Sequence, residues 1–218
     1  MASLVIVIGN RNYSSWSLRP WLALKAAGAD FEEVVVGLRQ PETKAKILAH
    51  SPAGKVPVLK HGDLLVWESL AICEYLAEVF PQAELWPADM RARAVARAVA
   101  TEMHAGFAGL RRDLPMDIHG KSEVARQPGE EAKADIARVQ QIWQDCRGRF
   151  GGGDDGGPFL FGRFSIADCM YAPVATRFRS YGVALDAVSA AYVDAVYAHP
   201  AMQDWIAAAK GEAPLPEN

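Results

Sequence analysis

Apolar and polar positions follow two rhythms over residues 1 to 80 and a single one thereafter. Leu4-Val5-Ile6-Val7-Ile8 is an unbroken apolar run that ends at Gly9-Asn10, the mark of a short buried strand. Leu18, Trp21, Leu22 and Ala26 then recur at helical spacing, and Gly28 closes that pattern. Phe31 to Val36 reads as a second strand. A polar section with a short helix from Thr43 to Ala49 leads to Val56-Pro57-Val58-Leu59. His61-Gly62-Asp63 separates this run from Leu64-Leu65-Val66-Trp67, which is a hairpin signal. Ser69 to Phe80 is amphipathic at the helical period. The order strand, helix, strand, helix, hairpin, helix predicts a small mixed sheet, a parallel unit joined to an antiparallel one.

Pro81 to Asp89 interrupts the rhythm and reads as a linker, with Leu85 and Trp86 tucked against a neighbour. Everything beyond it has helical period. The pattern predicts one long helix from Asp89 to Arg112, then helices from Gly129 or Glu130 to Arg149, Ser165 to Tyr181, Ser189 to Ala198 and Ala201 to Ala209. The expected organisation is an α/β domain over residues 1–80, a linker over 81–88 and an all-α helical bundle over 89–218. Phe164-Ser165-Ile166-Ala167-Asp168 is a capping box that starts a buried helix, so Asp168 is assigned to folding rather than chemistry. The glycine run from Gly151 to Gly157 follows no strand and opens no helix, and reads as a flexible surface loop.

Composition narrows the function. The chain has 218 residues, 50% hydrophobic, with a formal net charge of -3, and no Lys/Arg block argues for nucleic acid or an anionic membrane. The first apolar run is too short for a signal sequence, and no stretch approaches the roughly 20 apolar residues of a membrane span. Cys73, Cys146 and Cys169 are widely spaced, which points to a reducing, cytoplasmic setting and reads Cys73 and Cys169 as small core hydrophobes. The five histidines show no pair at i, i+4, so no metal is expected. The absence of a phosphate-cradling glycine loop predicts no nucleotide.

Chemistry gathers in the first domain. Ser14, Ser15 and Ser17 stand in the turn from first strand to first helix, where serine serves either as an N-cap or as a hydroxyl donor. Val56-Pro57 opens a strand at a position where proline removes a ladder donor. Trp67-Glu68-Ser69 closes a strand and starts a helix, and a helix N-terminus with a serine hydroxyl suits a carboxylate.

With these residues in place, the chain resembles the cytosolic glutathione transferases over essentially its whole length: a thioredoxin-like domain with a mixed four-stranded sheet, then a helical bundle. Tyr13-Ser14-Ser15-Trp16-Ser17-Leu18-Arg19 is similar to the serine motif S-S-C-x-x-R of the zeta class, which includes the maleylacetoacetate isomerases, with Trp16 where that motif has cysteine. The resemblance implies that a serine hydroxyl, Ser14 first and Ser15 as the alternative, donates to the sulfur of glutathione and favours the nucleophilic thiolate. It implies that Val56 pairs through its backbone with the cysteinyl part of glutathione beside a cis Pro57. Glu68 and Ser69 would hold the γ-glutamyl end, with Lys55 nearby, and Arg39 or Gln40 would reach the glycyl end.

For the second substrate, an electrophilic small molecule, the candidates are Trp16, His104, Arg111 and Arg177, with Thr101, His104, Ala108 and Arg111 sharing one helix face. Each also has a plainer reading, as interdomain packing for Trp16 and as a solvated or interhelical polar face for the others. Arg19 reads as structural, paired with a carboxylate or with backbone carbonyls. The resemblance further implies a homodimer and glutathione as the cosubstrate. Conjugation, a glutathione-dependent cis-trans isomerisation and a glutathione-binding scaffold with little turnover are the three functions in contention.

Overall fold

A computed structural model describes residues 3–120, 127–152, 156–213 and 215. The first apolar run forms β1 (Leu4–Gly9), followed by α1 (Ser15–Ala26), β2 (Phe31–Val36) and α2 (Thr43–Leu48). The hairpin is β3 (Val58–His61) and β4 (Leu64–Trp67), and α3 (Ser69–Val79) completes the unit. The strands run in the order β2-β1-β3-β4. β1 pairs in parallel with β2, Leu4 opposite Phe31, and antiparallel with β3, Leu4 opposite His61.

β1 lies inside the sheet, so side chains on both its faces are covered. Leu4, Ile6 and Ile8 point into the large core with Leu18, Leu22, Ile72 and Leu76, while Val7 joins Val36, Ile47 and Val58 in a smaller cluster on the other face. That alternation follows from the two-residue period of a strand. Helix α1 ends in a Schellman turn: Gly28 has φ +64, Ala29 N–H donates to Leu24 O at 3.1 Å, and Gly28 N–H to Lys25 O at 3.1 Å.

A 3-10 turn (Pro81–Ala83) opens the connection to the helical part. Leu85 and Trp86 are buried there as expected, with Trp86 Nε1 donating to Glu74 at 3.0 Å and Ile166 N–H to Leu85 O at 2.9 Å. The long first helix is corrected by the structure: it is two helices, α4 (Met90–Ala105) and α5 (Ala108–Asp113). Gly106 and Phe107 break it, Phe107 adopting φ +63, so Thr101 and His104 lie on a different helix from Ala108 and Arg111.

The remaining helices are α6 (Glu130–Phe150), α7 (Ile166–Ser180), α8 (Ala187–Ala198) and α9 (Pro200–Ala209). Helix α7 is buried over most of its length and packs against α1 and α4. The capping box is present, with Ser165 N–H donating to Asp168 Oδ2 at 2.9 Å. Leu160 N–H and the Tyr192 hydroxyl donate to Asp168 Oδ1. Burial nevertheless pushes the Asp168 carboxyl up to about 6. The three cysteines are buried free thiols. Of the expected glycine loop, Gly153, Asp154 and Asp155 lie outside the described residues. Among the described residues no helix is long and apolar enough to cross a membrane.

Candidate functional site

The turn after β1 is built on Asn10, whose carbonyl accepts from Tyr13 N–H at 3.2 Å and Ser14 N–H at 2.8 Å. Ser14 is the N-cap of α1, its Oγ accepting from Ser17 N–H at 3.4 Å. The Ser14 and Ser17 hydroxyls are 2.8 Å apart, and Ser17 Oγ also accepts from Gly9 N–H at 3.0 Å. A hydroxyl proton rotates, so either serine can fill the bond between them. When Ser17 fills it, the Ser14 proton is left to give. Ser15 is placed differently, its Oγ accepting from Arg177 Nη2 at 3.3 Å.

Next to this turn is a cleft of about 230 Å³. Trp16 forms one wall; Lys55, Val56 and Pro57 at the entrance to β3 form another; Trp67, Glu68 and Ser69 at the junction of β4 and α3 form the third. Ser14 and Ser15, each 6% exposed, precede Trp16 in the chain at the start of α1 and are not themselves part of the lining. The Val56–Pro57 peptide is cis, and Val56 stands outside the ladder, whose register with β1 stops at Val58. Glu68 has φ +67, a conformation costing a non-glycine residue on the order of 1–3 kcal/mol.

That backbone turn aims the start of α3 at the cleft. The amides of Ser69, Leu70 and Ala71 precede the first intrahelical bond, Ile72 N–H to Glu68 O at 2.9 Å. Ser69 is 1% exposed and its Oγ has no hydrogen-bond partner among the described residues. A buried hydroxyl beside free helix amides, with the Lys55 ammonium in the same cleft, is a receptor for a carboxylate. Glu68 offers the opposite charge to an amine.

Behind Trp16 lies a group of cations. Two guanidiniums lie over the indole, Arg19 at 4.3 Å and Arg111 at 4.6 Å from the ring, and His104 meets it in a T-shaped contact at 5.3 Å. Arg19 is wholly buried, and among the described residues none of its guanidinium nitrogens has a hydrogen-bond partner. Among the described residues the expected carboxylate or carbonyl partners are absent, which corrects the plain structural reading of this residue. Burial, then the charges of Arg111 and Arg177, hold its pKa well below the ordinary value.

Arg111 instead closes the end of α4, donating to Gly106 O at 3.0 Å, to His104 O at 3.4 Å and to Met103 O. Arg177 donates through Nε to Leu114 O at 2.7 Å and ties α7 to Ser15; burial, then Arg111, pushes it down to about 9. His104 Nε2 is 3.6 Å from Glu68 Oε2, a contact between the helical part and the cleft. Burial, then Arg19, lowers the His104 pKa, with Glu68 acting against them.

The structure therefore gathers Trp16, Lys55, Val56, Pro57, Glu68 and Ser69 around one cleft, with His104 touching its rim through Glu68. Arg111 and Arg177 lie behind its wall and outside its lining. Arg39, with φ +56, and Gln40 are exposed in the loop before α2, where Gln40 N–H donates to Thr43 Oγ1 at 2.8 Å, and neither lines the cleft. Sequence reasoning missed Arg19 as a member of the group. No periodicity signals it, since an arginine on a buried helix face ordinarily implies a partner.

Residues 13–79 match the model of the glutathione S-transferase N-terminal domain, and residues 92–208 that of the glutathione S-transferase C-terminal domain. The chain is 34% identical over 168 residues to a probable maleylacetoacetate isomerase of Caenorhabditis elegans, covering 75% of this chain and 73% of that one. It is 32% identical over 217 residues to the maleylacetoacetate isomerase of Pseudomonas aeruginosa, covering 88% and 94%. Among solved structures it is similar to a glutathione transferase homolog from Burkholderia gl BGR1 with bound glutathione, at TM-score 0.72 and 25% identity over 95% of this chain and 98% of that one. A theta-class transferase of Xanthomonas axonopodis pv. citri, at TM-score 0.67 and 24% identity, covering 94% of this chain and 98% of that one, shares the fold. Two matched models that between them take in most of the chain, on a mixed sheet followed by a helical bundle, show that the chain belongs to the glutathione S-transferase family.

Proposed function

We propose that this glutathione transferase binds glutathione in the cleft between Trp16, Val56 and Glu68-Ser69, and that Ser14 donates a hydrogen bond to its sulfur so that the thiolate attacks an electrophilic small molecule. The observation that carries this reading is the buried, unpartnered Ser69 hydroxyl at the start of α3, beside a Glu68 held in a strained conformation. Ser69 and the α3 amides take the γ-glutamyl carboxylate and Glu68 its amine. Val56 pairs with the cysteinyl backbone as an added strand. Lys55 faces the carboxylates, with Arg39 or Gln40 toward the glycyl end.

Ser14 is the donor because its proton is released whenever Ser17 fills the bond between them. Ser15 remains the alternative; its oxygen is held by Arg177 and its proton is unspent. The division of labour is a glutathione-binding domain over 1–80, a linker over 81–88 and a helical domain over 89–218 that shapes the electrophile pocket with Trp16, His104, Arg111 and Arg177. Glutathione serves as cosubstrate. We also propose a homodimer, for which the exposed Leu64 and Trp67 on the edge strand β4 speak, and a cytoplasmic setting, which three free thiols suit.

A second reading is favoured by the arginine group. Arg19, Arg111 and Arg177 are clustered next to the cleft without lining it, and with little acidic compensation their summed field favours an anionic substrate there. A thiolate that adds to a conjugated double bond, allows rotation about the resulting single bond and is then expelled would isomerise such a substrate and return glutathione. A scaffold with little turnover would bind glutathione without changing its thiol.

The test is the ultraviolet absorbance of the bound thiolate as a function of pH in the wild type, Ser14→Ala and Ser15→Ala. The expected result is a lowered thiol pKa in the wild type that Ser14→Ala returns toward the free value while glutathione still binds. Loss in Ser15→Ala alone would move the role to Ser15. An unshifted thiol in the wild type would make the serines caps only.

A further inference from the structure

The turn that delivers Ser14 and Ser15 is fastened at its base by a residue from the far end of the sequence. Glu212 follows α9, and its side chain is only 12% exposed. Its Oε1 accepts from Arg11 N–H at 2.8 Å and its Oε2 from Asn12 N–H at 3.0 Å, while Arg11 Nη1 lies 3.7 Å from Oε1. One carboxylate thus spans two consecutive amides, each bond strengthened by the charge. The carbonyl of Arg11 is also taken, by Trp205 Nε1 of α9 at 3.0 Å.

Other contacts of the same two residues run through their side chains and carbonyls, and leave the two amides to Glu212. Asn12 Nδ2 donates to Asp117 Oδ1 at 2.7 Å, and its Oδ1 accepts from His119 N–H at 3.0 Å. The Arg11 guanidinium pairs with Glu33, which accepts from Trp21 Nε1 at 2.8 Å. Asn10, on the other side of Arg11, carries the carbonyl that sets Tyr13 and Ser14. Releasing Arg11 and Asn12 would let the residues on either side of them move, and with them the Ser14 hydroxyl.

We propose that Glu212 is a positioning residue of the transferase: by binding the Arg11 and Asn12 amides it fixes the β1–α1 turn in the geometry from which the serine hydroxyl reaches the glutathione sulfur. The inference rests on the donor reading above. It makes the strength of thiol activation depend on a tail residue that touches no substrate, and it gives the tail a role that removing any residue of the cleft would not reveal.

The experiment compares wild type, Glu212→Ala, Glu212→Gln and Asp204→Ala. The last breaks the exposed Lys25–Asp204 ion pair between α1 and α9, at 2.9 Å, and leaves the clamp alone. Bound-thiolate absorbance against pH, glutathione affinity and kcat/KM with an activated aryl halide are read for each. In Glu212→Ala the bound thiol is expected to titrate about one pH unit higher, and kcat/KM to fall about 10- to 100-fold, the scale of a misplaced reacting group, with glutathione affinity retained. Glu212→Gln, which keeps an acceptor oxygen but drops the charge, falls between, and Asp204→Ala behaves as wild type. A Glu212→Ala enzyme that titrates as wild type overturns the inference alone, as does one that loses glutathione binding together with the thiol shift. A wild type whose bound thiol is unshifted sinks the donor reading first, and this inference with it.

Discussion

A guanidinium that is wholly buried and meets no acceptor among the described residues, as Arg19 is, has given up its hydration in exchange for the face of the Trp16 ring. Cation–π contact of this kind is worth roughly 0.5–2 kcal/mol, while removing a charge from water costs several. The second term wins, so Arg19 is a net burden on the protein without an anionic guest. Arg19→Met keeps most of the volume and removes the charge. The expected outcome is an unfolding free energy equal to or above that of wild type, by up to about 1–4 kcal/mol, read by urea denaturation with no anion present. A loss of more than about 1 kcal/mol would mean that the guanidinium finds partners in solution. The same substitution should weaken stabilisation by a small dicarboxylate, because the charge the guest would neutralise is gone.

At the level of elements, α5 and α6 meet backbone to backbone at Gly109. A Cβ there would stand 2.7 Å from Ala132 N and 2.8 Å from the carbonyl carbon of Glu131. Helix propensity favours alanine over glycine by about 1 kcal/mol, but overpacking against backbone costs about 1–3 kcal/mol. Gly109→Ala should therefore destabilise, whereas Gly148→Ala on α6, whose Cβ would meet nothing within 4 Å, should stabilise by roughly 0.5–1 kcal/mol. Equal shifts of the melting temperature in the two variants would refute the argument. These contacts also show what the sequence could and could not tell. The strands, the hairpin and the caps at Ser14, Asp89 and Ser165 were legible because each is decided within a few residues by period and hydrogen-bonding chemistry. The break at Gly106 and Phe107 was not: a lone glycine inside a helical pattern is tolerated without ending it, and it is the Arg111 guanidinium, folded back onto the carbonyls at the end of α4, that stabilises the interruption. In the site, the cleft residues at Val56, Pro57, Glu68 and Ser69 could be named from local motifs and the family resemblance. The Ser15–Arg177 contact and the Glu212 clamp join residues far apart in the chain, and no local pattern encodes them.

For the molecule as a whole, α1 is the shared wall. It packs on β1 and α3 on one side and on α7 and α9 on the other, and its residues from Leu18 to Leu24 are buried although only part of the helix faces the sheet. Trp21 of α1 meets Trp205 of α9 at 5.1 Å, edge to face, and one apolar cluster runs without interruption from Leu4 to Trp205. A core continuous across the two halves couples their stabilities, because neither can lose α1 without exposing its own apolar surface. Leu22, wholly buried in that cluster, is the probe. Leu22→Ala removes its transfer energy and leaves a cavity, for a loss of about 2–5 kcal/mol. If the halves unfold as one unit, far-UV circular dichroism, dominated by the helical half, and tryptophan fluorescence will report the same midpoint in wild type and the same lowered midpoint in the variant. If the sheet half melts alone in the variant while the helical signal keeps its wild-type midpoint, the helical bundle is stable without α1 and the shared-wall account is wrong.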